Sequence, residues 1–132
     1  MPGWGTGSFE NEEAQTFLTQ LKSFHIDDLS PILARAADHD YVDAPESTVV
    51  IVVAEIVAAA KGNPPQAVPT QITEWIAQIE GSPSSEMSEL ARRAVENVRT
   101  SSELKDLWLE AEGLNEWSAV LRDLEERLTQ KD

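Results

Sequence analysis

Glu55 is the lone ionisable residue in the run from Val49 to Ala60. A carboxylate on so apolar a segment cannot stay charged in a dry core without partners, because unpaired burial is costly. It must reach solvent, take up a proton, or accept hydrogen bonds. The candidate donors are the Trp4 indole, Arg92, Arg93 and N-terminal amides. A carboxylate held this way is also what a general base or a metal site uses. Structural ion pairs are the commoner outcome, so Glu55 is expected to tie the N-terminal arm or an arginine to the core.

A second group of chemically capable residues crowds one turn. Asp38, His39, Asp40, Asp43 and Glu46 follow one another closely, with His25, Asp27 and Asp28 earlier in the chain. Carboxylates with imidazole can hold Mg²⁺, Mn²⁺ or Zn²⁺, which makes His39, Asp40 and Asp43 the candidate ligands. Their spacing matches neither an EF-hand loop nor a pair of histidines one helical turn apart. Acidic residues flanking helix ends need no metal, and Asp43 and Glu46 suit a helix N-terminus. The expectation is that no metal and no cofactor is bound.

Other constellations lack essential parts. Gly3, Gly5 and Gly7 have no Walker lysine and no preceding strand, so a phosphate cradle is not expected. The glycines read as points of close backbone approach, with Trp4 and Phe9 filling apolar pockets. Arg92 and Arg93 sit three or four residues from Glu89 and Glu96, a spacing for surface pairs contributing about 0.3–0.5 kcal/mol each. One of the two could still turn inward toward Glu55. The absence of cysteine excludes a thiol nucleophile, disulfides and Cys-ligated metal. No Ser-His-Asp order or nucleophile elbow is present, and no catalytic residue is assigned.

The elements that position these residues read as helices. Asn11 caps a stripe of Ala14, Phe17, Leu18 and Leu21, and Ser30-Pro31 opens a second stripe through Leu33 and Ala36. Pro45 starts a helix through the Val49–Ala60 run, which ends at Lys61-Gly62. Its β-branched Val49-Val50-Ile51-Val52-Val53 favours a strand locally. The alanine-rich continuation and the glycine stop favour a helix that is apolar on nearly all sides and therefore central. Ile72, Trp75, Ile76 and Ile79 form a fourth stripe ending at Gly81, and Ser82-Pro83 opens a fifth from Met87 to Val98. Thr100-Ser101-Ser102-Glu103 has the form of a capping box before Leu104, Leu107 and Trp108. Leu114, Trp117, Leu121, Leu124 and Leu128 complete the series. The expected architecture is one all-α domain over residues 1–132, of about six or seven short helices, with residues 1–10 as an ordered glycine-rich arm.

Four stretches stand out together: Trp4-Gly5-Thr6-Gly7-Ser8-Phe9-Glu10-Asn11, Tyr41 with Pro45-Glu46, Ala54-Glu55-Ile56-Val57-Ala58-Ala59, and Glu74-Trp75-Ile76. They resemble a bacterial family known as domain of unknown function 4259. Glu89-Leu90-Ala91-Arg92-Arg93-Ala94-Val95 and Ser102-Glu103-Leu104-Lys105-Asp106-Leu107-Trp108 extend the likeness over nearly the whole chain. The resemblance implies a helical fold and supplies no mechanism and no catalytic residue.

Composition bounds the function. The chain has 132 residues and a formal charge of −14, a length suited to one domain with its own core. That charge argues against nucleic acid and anionic membrane as partners, since both call for Lys/Arg clusters. Residues 1–60 hold ten acids against only Lys22 and Arg35, and no basic residue lies between Arg35 and Lys61. The opening Met1-Pro2-Gly3-Trp4 has no signal-peptide pattern, so a cytoplasmic location is expected. The reading that leads is a non-enzymatic binding or regulatory protein whose acidic surface docks a basic protein. The alternative is a metal-assisted hydrolase or small-molecule enzyme built on Glu55, His39 and Asp40. A third reading, acidity serving solubility alone, needs no partner at that face.

Overall fold

A computed structural model of the protein describes residues 5–79 and 81–130. Among them are seven α-helices, α1 (Glu12–Gln20), α2 (Leu29–Asp38), α3 (Ala44–Ala60), α4 (Thr70–Gln78), α5 (Ser85–Thr100), α6 (Glu103–Glu110) and α7 (Leu114–Thr129). Two single-turn 3₁₀ segments, Leu21–Ser23 and Ile26–Asp28, join α1 to α2.

The hydrophobic run dictates the architecture. Every side chain from Val50 to Ala59 is buried, so α3 has no solvent face and must be surrounded. It contacts all six of the other α-helices. Burial on all sides resolves the conflict between its β-branched residues and its helical context, since propensity is weaker than tertiary packing. The amphipathic helices close round it, α5 with Ala91, Ala94, Val95 and Val98, and α7 with Trp117, Leu121, Leu124 and Leu128. Trp75 closes one edge, its indole N–H donating to the Phe24 carbonyl at 3.0 Å.

Local chemistry sets the helix ends. Asn11 accepts from the Ala14 amide at 2.8 Å, and Asp43 accepts from Glu46 at 2.8 Å with Pro45 in the first turn. Three expected starts move. Helix α2 begins at Leu29, one residue before Ser30-Pro31, because the Ile26–Asp28 turn runs into it. Helix α5 is capped by Ser84, not Ser82, since Pro83 still lies in the loop. The cap of α6 is Ser102, whose hydroxyl accepts from Lys105 at 3.0 Å and donates to Val98 at 2.6 Å. Thr100, the expected cap, is instead the last residue of α5.

Geometry calls for glycine at both Gly62 and Gly113. Gly62 ends α3 at φ +99°, in the left-handed region. Gly113 lies against the Trp108 ring so closely that a Cβ would fall 2.6 Å from Cε3. No helix among the described residues is long and apolar enough to cross a membrane.

Candidate functional site

Glu55 sits on the innermost helix with a side chain only 2 % exposed. Its charge is met from two directions. Ser8 of the N-terminal segment donates its hydroxyl to Oε2 at 2.6 Å. Arg127, on the last turn of α7, donates from Nη1 to Oε1 at 2.8 Å and from Nη2 to Oε2 at 3.2 Å. Bidentate guanidinium–carboxylate contact of this kind is among the stronger side-chain interactions.

Arg127 is itself fixed on three sides. Its Nε donates to Asp123 at 2.8 Å, and Nη1 also reaches the Asn63 carbonyl at 3.3 Å. Burial opposes its positive charge, but the Glu55 and Asp123 carboxylates outweigh that, so its pKa lies above the ordinary arginine value. The backbone around it is clamped as well. Asn63 Nδ2 donates to the Arg127 carbonyl at 3.0 Å, and Lys61 Nζ donates to the Leu128 carbonyl at 2.6 Å. These bonds join the loop after α3 to the C-terminal end of α7, where cations are favoured.

The donors that reach Glu55 differ from those expected. Arg92 is held on its own helix by Glu89 at 2.6 Å and Glu96 at 2.8 Å, and Arg93 approaches Asp38 at 3.8 Å. Both lie on the outer face of α5, turned away from the core side that Ala91, Ala94 and Val95 occupy. Trp4 lies outside the described residues. Ser8 and Arg127 were the missing partners. Arg127 borders the Leu124–Leu128 stripe, and such an arginine at the edge of a buried face was the available signal.

Ser8, Glu55 and Arg127 face an open groove of about 840 Å³. Its walls are the 7–10 segment, the 65–69 loop and the outer side of α7 around Val120. Phe9 packs half-buried against the core, while Gly5 and Gly7 close upon the Glu10 carboxylate. The glycines therefore accommodate a turn within the arm, with the Gly7 amide donating to Glu10 at 3.1 Å. Among the described residues, no buried side-chain nitrogen or oxygen lacks a hydrogen-bond partner.

His39 and Asp40 lie elsewhere, in the connection between α2 and α3. At 1.5 Å per residue, the N-terminal end of α3 at Asp43 is about 18 Å along the helix axis from Glu55. Asp43 is used as the α3 cap. Among the described residues no group of three or more His, Asp or Glu side chains is placed to hold one metal ion.

That connection forms a second notable surface, because it is stapled to α6. Val42 is fully buried and forms an isolated parallel bridge with Ser102, and its carbonyl accepts from Glu103 at 2.8 Å. Asn97 donates to the Ala36 and His39 carbonyls, and the Ala44 amide donates to Glu103 Oε1 at 2.7 Å. The Tyr41 hydroxyl donates to Asp106 at 2.6 Å. That acceptor is the largest cause holding the phenol up, and with burial and the charges of Asp106 and Glu103 its pKa is pushed up to about 12. Asp40, Asp43, Glu103 and Asp106 thereby share one corner. So does Tyr41, 54 % exposed; Leu107 and Leu109, also exposed, are two residues apart on α6 and project to different sides of it.

Residues 3–120 fit the model of the family described as domain of unknown function (DUF4259), most of the chain, and the protein belongs to that family. The matched span holds Ser8, Glu55 and the acidic corner and ends before Arg127. No curated protein and no solved structure matches the chain.

Proposed function

We propose that this DUF4259-family protein is a non-enzymatic binding module that docks a basic protein on the corner formed by the α2–α3 connection and α6. One observation carries the reading. Tyr41, 54 % exposed, is held by Asp106 on the surface where the α2–α3 connection, with Asp40 and Asp43, meets Glu103 of α6.

An exposed aromatic side chain beside several carboxylates suits a protein interface, where aromatic residues supply affinity and charges supply steering and partner choice. Three bases lie near the corner and each has a partner: Arg35 on Glu46, Arg93 on Asp38, and Lys105 on the Thr100 carbonyl. The remaining carboxylates give the face its sign. A non-enzymatic role is further supported at Glu55, where both oxygens already accept donors and neither His39 nor Asp40 shares the groove.

The reading is tested by placing a photo-crosslinking residue in the native host, as Tyr41→p-benzoylphenylalanine, with Glu13→p-benzoylphenylalanine as the control. A basic protein crosslinked from position 41 and absent at position 13 is expected. The same adducts from both positions, or an acidic adduct at position 41, would overturn it.

A further inference from the structure

The groove beside Glu55 has no part in the docking corner and lies near the opposite end of α3. Its volume, about 840 Å³, falls within the range of small-molecule sites. Phe9, Val68 and Val120 line it and are each only half-buried, which leaves apolar surface for an occupant.

The charges select that occupant. Glu10, Glu55 and Asp123 face the groove, against the single guanidinium of Arg127. Arg127 directs Nε to Asp123 and both terminal nitrogens to Glu55, with Nη1 also on the Asn63 carbonyl, so four of its five N–H donors are engaged and its charge is met by carboxylates already present. Glu55 is neutralised in turn, while Asp123 stays 65 % exposed and Glu10 is exposed at the opposite rim. An anionic ligand would meet two carboxylates with no uncommitted cation. A cation on an apolar stem would place its charge at the rim and its stem against Phe9, Val68 and Val120.

We infer that this groove is a binding site for a small organic ammonium ion carried on an apolar chain, with Asp123 and Glu10 as its charge-reading residues. Asp123→Asn and Glu10→Gln remove charge while keeping the oxygen acceptors that Arg127 and Gly7 use, so the scaffold is retained. Buried Glu55 reads no ligand directly and acts as a positioning residue by holding Arg127 inward.

The test is an amide-resolved NMR titration of the intact chain with hexylamine, hexanoate and hexanol at neutral pH and low salt. Hexylamine is expected to shift the amides of Gly7, Val68 and Val120 saturably and to bind at least tenfold tighter than hexanoate. The Glu10→Gln/Asp123→Asn variant should weaken hexylamine at least fivefold and leave hexanol unchanged. Asp106→Ala, on the other surface, should leave both unchanged and so exclude general attraction to an acidic protein. Hexanoate binding as tightly as hexylamine, hexylamine unaffected by the double variant, or shifts mapping outside the groove would each overturn the assignment.

Discussion

Arg127 grips Glu55 with both terminal nitrogens across 72 positions of sequence, at 2.8 and 3.2 Å. The pair joins the central helix to the last turn of the chain's final helix, and Ser8 adds the N-terminal segment to the same carboxylate. Three distant parts of the chain therefore meet on one buried anion. Removing a partner strands a charge, which costs far more than the pair gains over an apolar substitute.

Glu55→Gln is expected to destabilise the fold by about 3 kcal/mol, the low end of the range for breaking a buried pair, because glutamine keeps one acceptor for Arg127. Thermal midpoints should fall by on the order of 10 °C. Urea denaturation of the two proteins measures the difference.

Ser8→Ala removes a hydrogen bond to a charged acceptor and should cost about 1.5–3 kcal/mol. The loss should shrink in the Glu55→Gln background, since both changes act on one carboxylate. A denaturation double-mutant cycle should return coupling on the order of 1 kcal/mol, whereas independent sites would add.

Tyr41 is the chain's single tyrosine, so its phenolate absorbance reports one group. Its folded pKa lies above the ordinary value of 10, so the contribution of the Asp106 contact is present below pH 10 and lost as pH rises through about 12. Asp106→Ala should bring the ultraviolet titration midpoint down toward 10, and a midpoint that stays put would show that Asp106 is not the acceptor that matters.

Gly113→Ala places a methyl group 2.6 Å from Cε3 and 2.9 Å from Cζ3 of Trp108, a rigid buried ring with little room to move. Overpacking of this kind costs about 1–3 kcal/mol. The expected signature is a lowered denaturation midpoint with altered near-ultraviolet circular dichroism from the tryptophan.

The helices and the central place of α3 were legible in the sequence because apolar periodicity and helix stops are local signals, and the alanine-rich continuation with the Lys61-Gly62 stop outweighed the local strand preference of Val49–Val53. The chemical importance of Glu55 was legible for the same reason: a charge inside such a run must be answered. Which residue answers it was not. Arg127 borders the Leu124–Leu128 stripe, but it also stands four residues after Asp123, the spacing of an ordinary surface pair, and the packing of α7 on α3 turns it inward. Ser8 carried no signal beyond a turn-forming segment. The acidic bias of residues 36–60 was visible, yet its union with Glu103 and Asp106 depends on the Val42–Ser102 bridge, a contact between segments 60 positions apart.

The docking corner is tested most directly by affinity capture from native host lysate, comparing wild-type protein with an Asp40→Lys/Glu103→Lys/Asp106→Lys variant and a variant reversed at exposed Glu12, Glu13 and Glu74. The expected result is one stoichiometric basic protein, retained at low salt, diminished at high salt, lost from the corner variant and kept by the distal one. A protein captured equally by both variants, or no basic protein captured by the wild type at low salt, would contradict the proposed function.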